Sequence, residues 1–314
     1  MNEEQLAETI LQKALKSGFC AAGFAAVTPS DEQSERLLDM IRENRHGEMA
    51  YMQNKVSVRT HPEKLLPGAK TVFSAALPYR FPLETKKESP RISRYALVDD
   101  YHRVVRNKLG QMLDFITATY PEPVSGKVCA DSMPVFEKTW AEKAGLGKTG
   151  KNTMLIVPET GSYVFLGEIL LDIELPPSPT PQFDPCQECD ACLRSCPTGA
   201  LVEPGKIDAR KCISYLTVEL KREFSPDESA MIGKWLFGCD ICQGVCPHNA
   251  RQSPAPTCPE FIPKKELFEI TSEQILSLTR SQFKTIFGGT PVFRAGLKRL
   301  KRNAKAVLEN LKDC

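Results

Sequence analysis

CQECDACLRSCPTGA, residues 186–200, places four cysteines in the spacing C-x2-C-x2-C-x3-C-P. A second run, CDICQGVCPHN at residues 239–249, has three cysteines in the spacing C-x2-C-x3-C-P. Four-cysteine runs of the first kind are typical of bacterial two-cluster ferredoxins. In those proteins the first three thiolates bind one [4Fe-4S] cluster and the fourth, next to proline, binds the other. The two runs therefore predict a two-cluster, ferredoxin-like module.

The spacing also predicts a ligand set for each cluster. The only cysteine between the two runs is Cys212, in KCISYL, and it supplies the ligand that the second cluster otherwise lacks. The first cluster is then expected on Cys186, Cys189, Cys192 and Cys246, and the second on Cys196, Cys212, Cys239 and Cys242.

Two zinc sites are the alternative, because CxxC pairs also suit tetrahedral zinc. Two Cys-Pro dipeptides, and four cysteines within eleven residues, favour iron–sulfur clusters instead. The remaining cysteines have no partner spacing, and we expect buried small side chains or free thiols at Cys20, Cys129, Cys258 and Cys314.

The composition narrows the class of protein. A chain of 314 residues suits one large domain with a small one attached, and a net charge of +2 excludes a polycation that binds nucleic acid indiscriminately. The acidic start, MNEEQLAETI, is unlike a secretory signal, and no apolar run reaches membrane-spanning length. We therefore expect a cytoplasmic protein without membrane contact, whose 12 cysteines serve metal or redox chemistry rather than disulfides.

An α+β domain is expected before the cysteine runs. Apolar periodicity predicts helices at residues 3–17, from residue 31, at 98–119 and at 133–144, and strands at 71–77, 126–131, 152–157 and 162–175. A proline-rich connector at residues 175–185 separates this domain from the cysteines. The expected divisions are a catalytic domain at 1–178, the cluster module at 179–255 and a helical C-terminal segment at 256–314.

GLGKTGKN, residues 145–152, is a glycine-rich turn without a nucleotide-binding fingerprint. Its exposed amides, together with Lys151 and Asn152, are suited to grip phosphate or amide groups. A plain helix C-cap followed by a tight turn explains the same residues equally well.

Over nearly its whole length the chain resembles the epoxyqueuosine reductases, the cobalamin- and iron–sulfur-dependent enzymes of queuosine synthesis in tRNA. The likeness rests on both cysteine runs and on VRTHPEKLLPGAKTV (58–72), RYALVDDYH (94–102), D-x-x-P-x-x-E-x-x-W-A-x-x-A-G-L-G-x-x-G-K-N (131–152), GSYVFLGEILLDIEL (161–175), KCISYLTVE (211–219) and FRAGLKRLKRNA (293–304).

The resemblance implies a nitroreductase-like α+β domain that binds cobalamin with its lower base detached and no protein side chain on the cobalt. The sequence agrees with the lack of a ligand, since the nearest match to D-x-H-x-x-G, at Asp100 and His102, has Val105 where glycine is needed. The resemblance gives as cobalamin contacts Arg59, Arg94, Tyr95, Asp131, Lys151, Asn152, Ser162, Ser214 and Gln243.

Asp131 matches the family's catalytic acid. Opening an epoxide leaves an alkoxide, and a carboxylic acid that donates a proton removes that charge. We expect desolvation against the corrin and the nucleotide to raise the pKa of Asp131, so that it stays protonated. The alternative is that Asp131 and Ser132 are N-cap residues of a helix with Pro134 near its start, and the two roles can coexist.

The C-terminal helix carries a row of basic side chains. The tRNA-binding residues expected from this row are Arg294, Lys298, Arg299, Lys301 and Arg302. A solvated helix face is the alternative interpretation of the same charges. A tRNA role is plausible because the bases of an anticodon loop can be splayed into a protein pocket.

The function implied by the resemblance is an oxidoreductase that converts epoxyqueuosine in tRNA to queuosine. The expected partners are tRNA carrying epoxyqueuosine and an external one-electron donor such as flavodoxin or ferredoxin, and we expect a monomer. Two alternatives are a corrinoid-dependent reductase of another substrate and a ferredoxin-like electron carrier. A carrier would tolerate Asp131→Asn, whereas the reductase would not.

Overall fold

The computed structural model describes residues 2–28, 31–82, 90–250 and 258–312, so Cys314 and the proline-containing stretch 251–257 lie outside it. The helices are α1 (Glu3–Lys16), α2 (Asp31–Arg42), α3 (Val56–Thr60), α4 (Tyr101–Thr119), α5 (Glu137–Lys143), α6 (Ala191–Ser195), α7 (Ile213–Val218), α8 (Pro226–Met231), α9 (Ile241–Gly244), α10 (Pro247–Ala250), α11 (Lys265–Phe268), α12 (Ser272–Ser277), α13 (Arg280–Phe287) and α14 (Pro291–Lys312). Short 3-10 turns lie at Ala50–Met52, Pro62–Lys64, Arg94–Ala96 and Ala209–Lys211.

The strands are β1 (Ala21–Ala26), β2 (Thr71–Pro78), β3 (Arg91–Ile92), β4 (Gly126–Cys129), β5 (Lys148–Thr149), β6 (Leu155–Ile156), β7 (Val164–Leu171), β8 (Leu201–Glu203), β9 (Lys206–Ile207) and β10 (Trp235–Phe237).

A four-stranded antiparallel sheet in the order β1-β2-β7-β4 forms the centre of the larger domain. Every residue of β2 is buried, because helices cover both faces of the sheet. Helices α1 and α4 pack on one face and α5 packs on the other. In this register Glu168 of β7 pairs with Ser74 on one side and Cys129 on the other.

The C-terminal helices complete the core on the α1 and α4 face. Phe283 and Phe287 of α13 and Leu300 of α14 are buried in the same cluster of apolar side chains as α1 and α4. A second cluster joins the end of α14 to α7 and α8 of the cysteine module. The tail therefore packs on both preceding segments. In the part of the chain described, no helix is both long and apolar enough to cross a membrane.

Several predicted elements are confirmed. The helix at residues 3–17 is α1, whose N-cap Asn2 forms a capping box with Gln5. The helix from residue 31 is α2, and the strand at residues 71–77 is β2. The helix predicted at 98–119 begins at Tyr101, because the side chain of Asp100 accepts from the N–H of His102 and caps it.

Two predictions around the glycine-rich turn are wrong in detail. The helix predicted at 133–144 begins only at Glu137, so neither Asp131 nor Ser132 caps it. Pro134 disfavours helical backbone at Met133, which delays the helix. Of the segment 152–157, only Leu155–Ile156 forms a strand, β6, and it pairs with β5 in a separate hairpin instead of joining the main sheet. At Gly147 a side-chain carbon would lie 2.2 Å from the carbonyl oxygen of Ile156, so this hairpin requires glycine there.

The cysteine module joins the larger domain through backbone pairing. Strand β10 pairs in parallel with β3, and α14 covers β10. On the C-terminal helix, Arg302 is 9% exposed and donates to the carbonyl oxygens of Leu216 (2.9 Å) and Leu220 (2.8 Å) at the end of α7. The expectation that Arg302 contacts tRNA is therefore corrected, because its guanidinium is used inside the protein.

Replacing Arg302 with methionine tests this structural role. Arg302→Met leaves the two carbonyl groups at the end of α7 without donors, so we expect the free energy of unfolding to fall by about 3 kcal/mol. Thermal melts followed by circular dichroism measure the change. Lys305 is exposed on the same helix, and Lys305→Met should change stability by less than about 0.5 kcal/mol. Equal losses in the two variants would contradict the assignment.

Candidate active site

Asp131 lies on the loop that follows β4, with its backbone in the left-handed region at φ 48°. Its side chain is 40% exposed, and the hydroxyl of Tyr101 donates to Asp131 Oδ2 at 3.0 Å. Its own N–H donates to Glu137 Oε1 at 2.5 Å. Non-glycine residues seldom adopt this backbone conformation, and such residues concentrate at functional sites.

Asp100, His102 and Asp131 form a carboxylate–imidazole–carboxylate chain. Asp100 Oδ1 lies 2.5 Å from His102 Nδ1, and His102 Nε2 hydrogen-bonds to Asp131 Oδ2. The His102 side chain is 9% exposed, so water competes little with these bonds. Asp100 and His102 lie side by side because Asp100 caps α4 and His102 lies in the first turn of that helix.

Arg294, from the C-terminal helix, adds a second cation. Its Nη1 lies 3.5 Å from Asp131 Oδ2 and 2.5 Å from His102 Nε2. The helix α14 is interrupted at Gly296, which has φ 80°, so Arg294 lies on a short first section with its own direction. Arg294, expected to bind tRNA, is therefore part of the candidate active site.

The charges in this site oppose the expected protonation of Asp131. Burial raises the pKa of Asp131, but the hydrogen bond and charge of His102, with the contributions of Tyr101 and Arg294, outweigh it and lower the pKa. Burial alone lowers the pKa of His102, yet Asp100 and Asp131 raise it to about 9. The protein's own groups therefore favour the anion of Asp131 and the cation of His102, and the pKa of Asp131 against a bound corrin and nucleotide stays a prediction.

The structure brings the cysteines together in two groups of four. Cys186, Cys189, Cys192 and Cys246 line one small cavity, which Lys151 and Asn152 also border. In the other group, burial and then the charges of Cys212, Cys192 and Cys196 raise the pKa of Cys242 to about 12. Burial raises the pKa of Cys239 as well, with Cys242 and Cys212 adding to the effect. The first group coincides with the predicted ligands of the first cluster, and the assignment of the eight cysteines to two clusters stays a prediction.

The chemistry of both groups suits iron–sulfur clusters. The backbone N–H of Lys151 donates to Cys186 Sγ at 3.3 Å, and amide hydrogen bonds to sulfur tune cluster potentials. Across the described ranges, no three His, Cys, Asp or Glu side chains converge closely enough to hold one metal ion. A cubane needs no such convergence, since each thiolate binds a different iron atom.

Three of the expected cobalamin contacts meet at the junction between the domains. Ser162 Oγ donates to Gln243 Oε1 at 3.0 Å, and the side-chain amide of Asn249 donates to Ser162 Oγ at 2.9 Å. The side-chain amide of Asn152 lies 3.4 Å from the carbonyl oxygen of Cys242. Asn152, Ser162 and Gln243 are all buried. They connect the sheet domain to the second cysteine run.

The segment before α4 is fixed to the cysteine run by Asp240. This carboxylate is 6% exposed and accepts from the hydroxyl of Ser93 and from the N–H of Arg94 at 2.8 Å. Arg94 Nη1 in turn donates to the hydroxyl of Tyr163 at 2.8 Å. Tyr95 packs edge-on against Tyr101, with ring centroids 6.2 Å apart. Arg94 and Tyr95 therefore lie between the cysteines and Asp131.

The other expected residues are placed as follows. Among the described residues, Arg59 Nε is buried without a hydrogen-bond partner. Lys151 Nζ donates to the carbonyl oxygen of Gln187 at 2.7 Å, on the cysteine side of the junction. Ser214 lies half-buried in α7, two residues after Cys212.

The remaining basic residues of the C-terminal helix differ in exposure. Lys298 is exposed and Lys301 is half-buried, whereas Arg299 donates to the carbonyl oxygen of Val218. Lys298 is therefore the most accessible of the expected phosphate contacts, and Arg299 shares the helix-end role of Arg302.

Sequence reasoning missed the roles of His102, of its partner Asp100, and of Tyr101, which donates to Asp131. His102 was considered only as a weak cobalt ligand. The usable signal was D-x-H at the start of a predicted helix, which places the carboxylate and the imidazole side by side. Glu137 was also missed as the partner of the Asp131 backbone.

Two family models match the chain. Residues 59–132 match "Epoxyqueuosine reductase QueG, DUF1730", and residues 185–249 match "4Fe-4S double cluster binding domain". The chain therefore carries a double [4Fe-4S] cluster domain, and its mixed helix-and-sheet fold includes a ferredoxin-like module.

Curated relatives extend the match over nearly the whole chain. An epoxyqueuosine reductase of Cellulophaga algicola is 38% identical over 96% of this chain and 97% of the relative. The chain belongs to the epoxyqueuosine reductase family. The epoxyqueuosine reductase of Escherichia coli is 37% identical over 98% of this chain and 81% of its own length.

Solved structures of epoxyqueuosine reductases have the same fold. One, in complex with an epoxyqueuosine-modified stem loop of tyrosine tRNA, aligns with a TM-score of 0.88 at 33% identity and covers 100% of this chain and 83% of that one. The enzyme from Bacillus subtilis aligns with a TM-score of 0.88 at 32% identity, with the same coverage, and has its aspartate-bearing catalytic loop swung out of the active site.

The charge on His102 predicts a pH-dependent contribution to stability. Because its folded pKa lies above the ordinary value, this contribution is complete below pH 6.5 and disappears as pH rises through about 9. We therefore expect His102→Asn to cost roughly 2–3 kcal/mol at pH 6 and much less at pH 10. Denaturation at both pH values measures it.

A second variant identifies the partner responsible. In an Asp131→Asn background, the cost of His102→Asn should depend much less on pH, because one of the two carboxylates that hold the imidazolium is gone. If the pH dependence is the same in both backgrounds, the His102–Asp131 pairing is wrong.

Proposed function

We propose that this protein reduces epoxyqueuosine in tRNA to queuosine, with Asp131 as the residue that delivers the proton. The observation that carries the proposal is the Asp100–His102–Asp131 chain, which holds a transferable proton at a solvent-accessible carboxylate. Family membership supplies the substrate, since a related enzyme is known in complex with an epoxyqueuosine-modified tRNA stem loop.

The residues present fit the cofactors that the family implies. Eight cysteines in two groups would hold two [4Fe-4S] clusters, as Cys186, Cys189, Cys192 and Cys246, and Cys196, Cys212, Cys239 and Cys242. Cobalamin carries amide side chains around its ring, and the unpartnered buried Nε of Arg59 and the buried polar groups at the junction suit such amides. The sheet domain would then be a nitroreductase-like corrin-binding domain.

Arg59, Arg94, Tyr95, Asp131, Lys151, Asn152, Ser162, Ser214 and Gln243 would line the cobalamin site. When bound, the clusters carry single electrons, and cobalamin without a protein ligand supplies a strongly reducing, nucleophilic cobalt. The electrons would come from an external one-electron carrier such as flavodoxin or ferredoxin, acting on the protein as a monomer.

Converting an epoxide to an alkene consumes two electrons and two protons and releases water. Asp131 delivers the first proton to the epoxide oxygen as its C–O bond breaks, which avoids a free alkoxide. That proton would be held by His102, whose Nε2 hydrogen-bonds to Asp131 Oδ2. Asp100 stabilises the imidazolium through Nδ1. His102 would therefore store the proton, and Asp131 would deliver it.

The tRNA would approach over Asp131, with its modified base turned out of the anticodon loop. Arg294 and Lys298 lie at this end of α14 and would contact phosphates, while Lys301 and Arg299 have smaller parts. By analogy with the Bacillus subtilis relative, the loop that carries Asp131 would move in and out of the site.

Nucleoside analysis of tRNA from cells that lack this gene tests the function directly. Epoxyqueuosine should accumulate, and the gene supplied on a plasmid should restore queuosine. Unchanged queuosine in the deletion strain, with no second enzyme present, would refute the proposal.

Asp131→Asn tests the acid. We expect turnover to fall by about 10²–10⁴-fold, the usual contribution of a general acid, while cobalt, iron and tRNA binding are retained. Single-turnover assays with reduced enzyme measure it. Normal turnover in the variant would refute the role of Asp131 as proton donor, whereas no turnover by the wild-type protein would favour the electron-carrier alternative.

Cysteine substitutions test the ligand sets. Cys212→Ala and Cys246→Ala should each lower the iron content by up to half, since each belongs to a different set of four thiolates. Cys258 is buried outside both groups, so Cys258→Ala should leave the iron content unchanged. Full iron in the Cys212→Ala protein would show that its ligand lies elsewhere.

A further inference from the structure

A pair of acidic side chains lies next to Asp131. Glu137 is the first residue of α5, and Glu168 lies on β7 beneath that helix. Glu168 is completely buried, and its Oε2 has no hydrogen-bond partner among the described residues. Its other oxygen accepts from the hydroxyl of Ser74 at 3.3 Å. The proton delivery derived above uses neither glutamate.

Asp131 needs an external contact to hold its backbone. Its left-handed φ of 48° costs a non-glycine residue conformational energy, and its loop is not part of a helix or strand. Helix α5 begins only at Glu137, so the segment between them has no helical hydrogen bonds. The backbone N–H of Asp131 is satisfied by Glu137 Oε1 at 2.5 Å, a short bond to a carboxylate.

Glu137 is well placed to act as a fixed anchor. Its helix packs on β2 and β7, and Trp140, one turn further along, is 2% exposed. The anchor therefore belongs to the rigid sheet layer, whereas Asp131 belongs to the loop. The hydrogen bond between the Asp131 N–H and Glu137 therefore attaches the loop to the sheet layer.

We propose that Glu137 is a positioning residue that holds the Asp131 loop in the active site through the backbone N–H of Asp131. Release of this bond frees the loop to leave the site. The inference rests on the proposed role of Asp131 as proton donor, and it assigns to Glu137 no contact with substrate or cofactor.

The electrostatic surroundings suit a bond that changes near neutral pH. Burial, and then the charge of Asp131, raise the pKa of Glu137 to about 7, although the Asp131 N–H itself favours the ionised form. Burial and the charge of Glu137 raise the pKa of Glu168 well above its ordinary value, so Glu168 stays neutral. Above pH 7 the ionised Glu137 is the stronger acceptor, and below pH 7 the bond weakens. The charged or titratable groups that face Glu137 are Asp131 on the loop, Lys138 on α5, His102 and Tyr101 on α4, Arg59 on α3, Cys129 on β4 and Glu168 on β7.

Hydrogen exchange of the substrate-free protein tests the contact without any catalytic assay. Glu137→Gln keeps the size of the side chain but removes its charge, and Glu137→Asp keeps the charge but shortens the reach. We expect the amides of residues 131–136 to exchange about 3–10-fold faster in both variants at pH 8, because a charge-assisted bond is roughly twice as strong as a neutral one.

Glu142 provides a matched control on the same helix. Its Oε1 accepts from the N–H of Thr149 at 2.5 Å, a contact of the same kind to a different loop. Glu142→Gln should speed exchange around Thr149 and leave residues 131–136 unchanged. Unchanged exchange of residues 131–136 in both Glu137 variants would overturn the proposal.

Turnover supplies the functional measurement. Glu137→Gln should lower kcat about 5–50-fold with little change in the KM for tRNA, since the loop is misplaced but the tRNA surface is intact. In the wild-type protein we expect kcat to fall as the pH is lowered through about 7, and this fall should be smaller in Glu137→Gln. If hydrogen exchange is faster but kcat is normal, Glu137 does hold the loop, and the proposed role of Asp131 as proton donor is refuted. A failure of the Glu137 proposal can therefore be told apart from a failure of the proposed function.

Discussion

The buried carboxylate of Asp240 sets the relation between the two halves of the molecule. It lies within the second cysteine run, and it accepts from Ser93 and from the backbone of Arg94, at the start of the segment that leads into α4. A buried carboxylate is costly unless it is hydrogen-bonded, so the two segments are held in one register. Because α4 begins a few residues later with Asp100 and His102, the position of the imidazole depends on this contact. The parallel pairing of β3 with β10 fixes the same register through the backbone.

The acid site shows how one proton can be kept available without a neutral carboxyl group. Desolvation acts on Asp131, but a carboxylate between an imidazolium and a guanidinium is favoured as the anion. In the proposed mechanism His102 holds the proton, and its Nε2 lies within hydrogen-bond reach of the carboxylate. Electrostatic interactions grow as the local dielectric constant falls. A bound nucleotide that excludes water would therefore strengthen the attraction between His102 and Asp131, and it would also favour proton transfer from the imidazolium to the carboxylate.

The sequence predicted the parts that depend on local spacing. Cysteine intervals reflect the geometry of a cubane: the chain carries a double-cluster domain over residues 185–249, and the four cysteines predicted for the first cluster line one cavity. The helices at residues 3–17 and from residue 31 follow from apolar periodicity. The protonation of Asp131 could not be predicted, because its partners come from residues 100–102 and 294, far along the chain. The role of Arg302 was hidden for a similar reason: its charge suggests an exposed residue, whereas distant carbonyl groups of α7 bind it inside the protein.

The break at Gly296 turns Arg294 toward the carboxylate while the rest of α14 packs on the cysteine module. The guanidinium beside Asp131 therefore comes from a segment 192 residues after His102. Until that segment docks, Asp131 lacks the neighbouring guanidinium of Arg294, and the apolar core lacks the buried side chains of α14. Formation of the site around Asp131 is thus tied to docking of α14 on the rest of the fold, so a change that loosens this helix would also alter the charge beside the carboxylate.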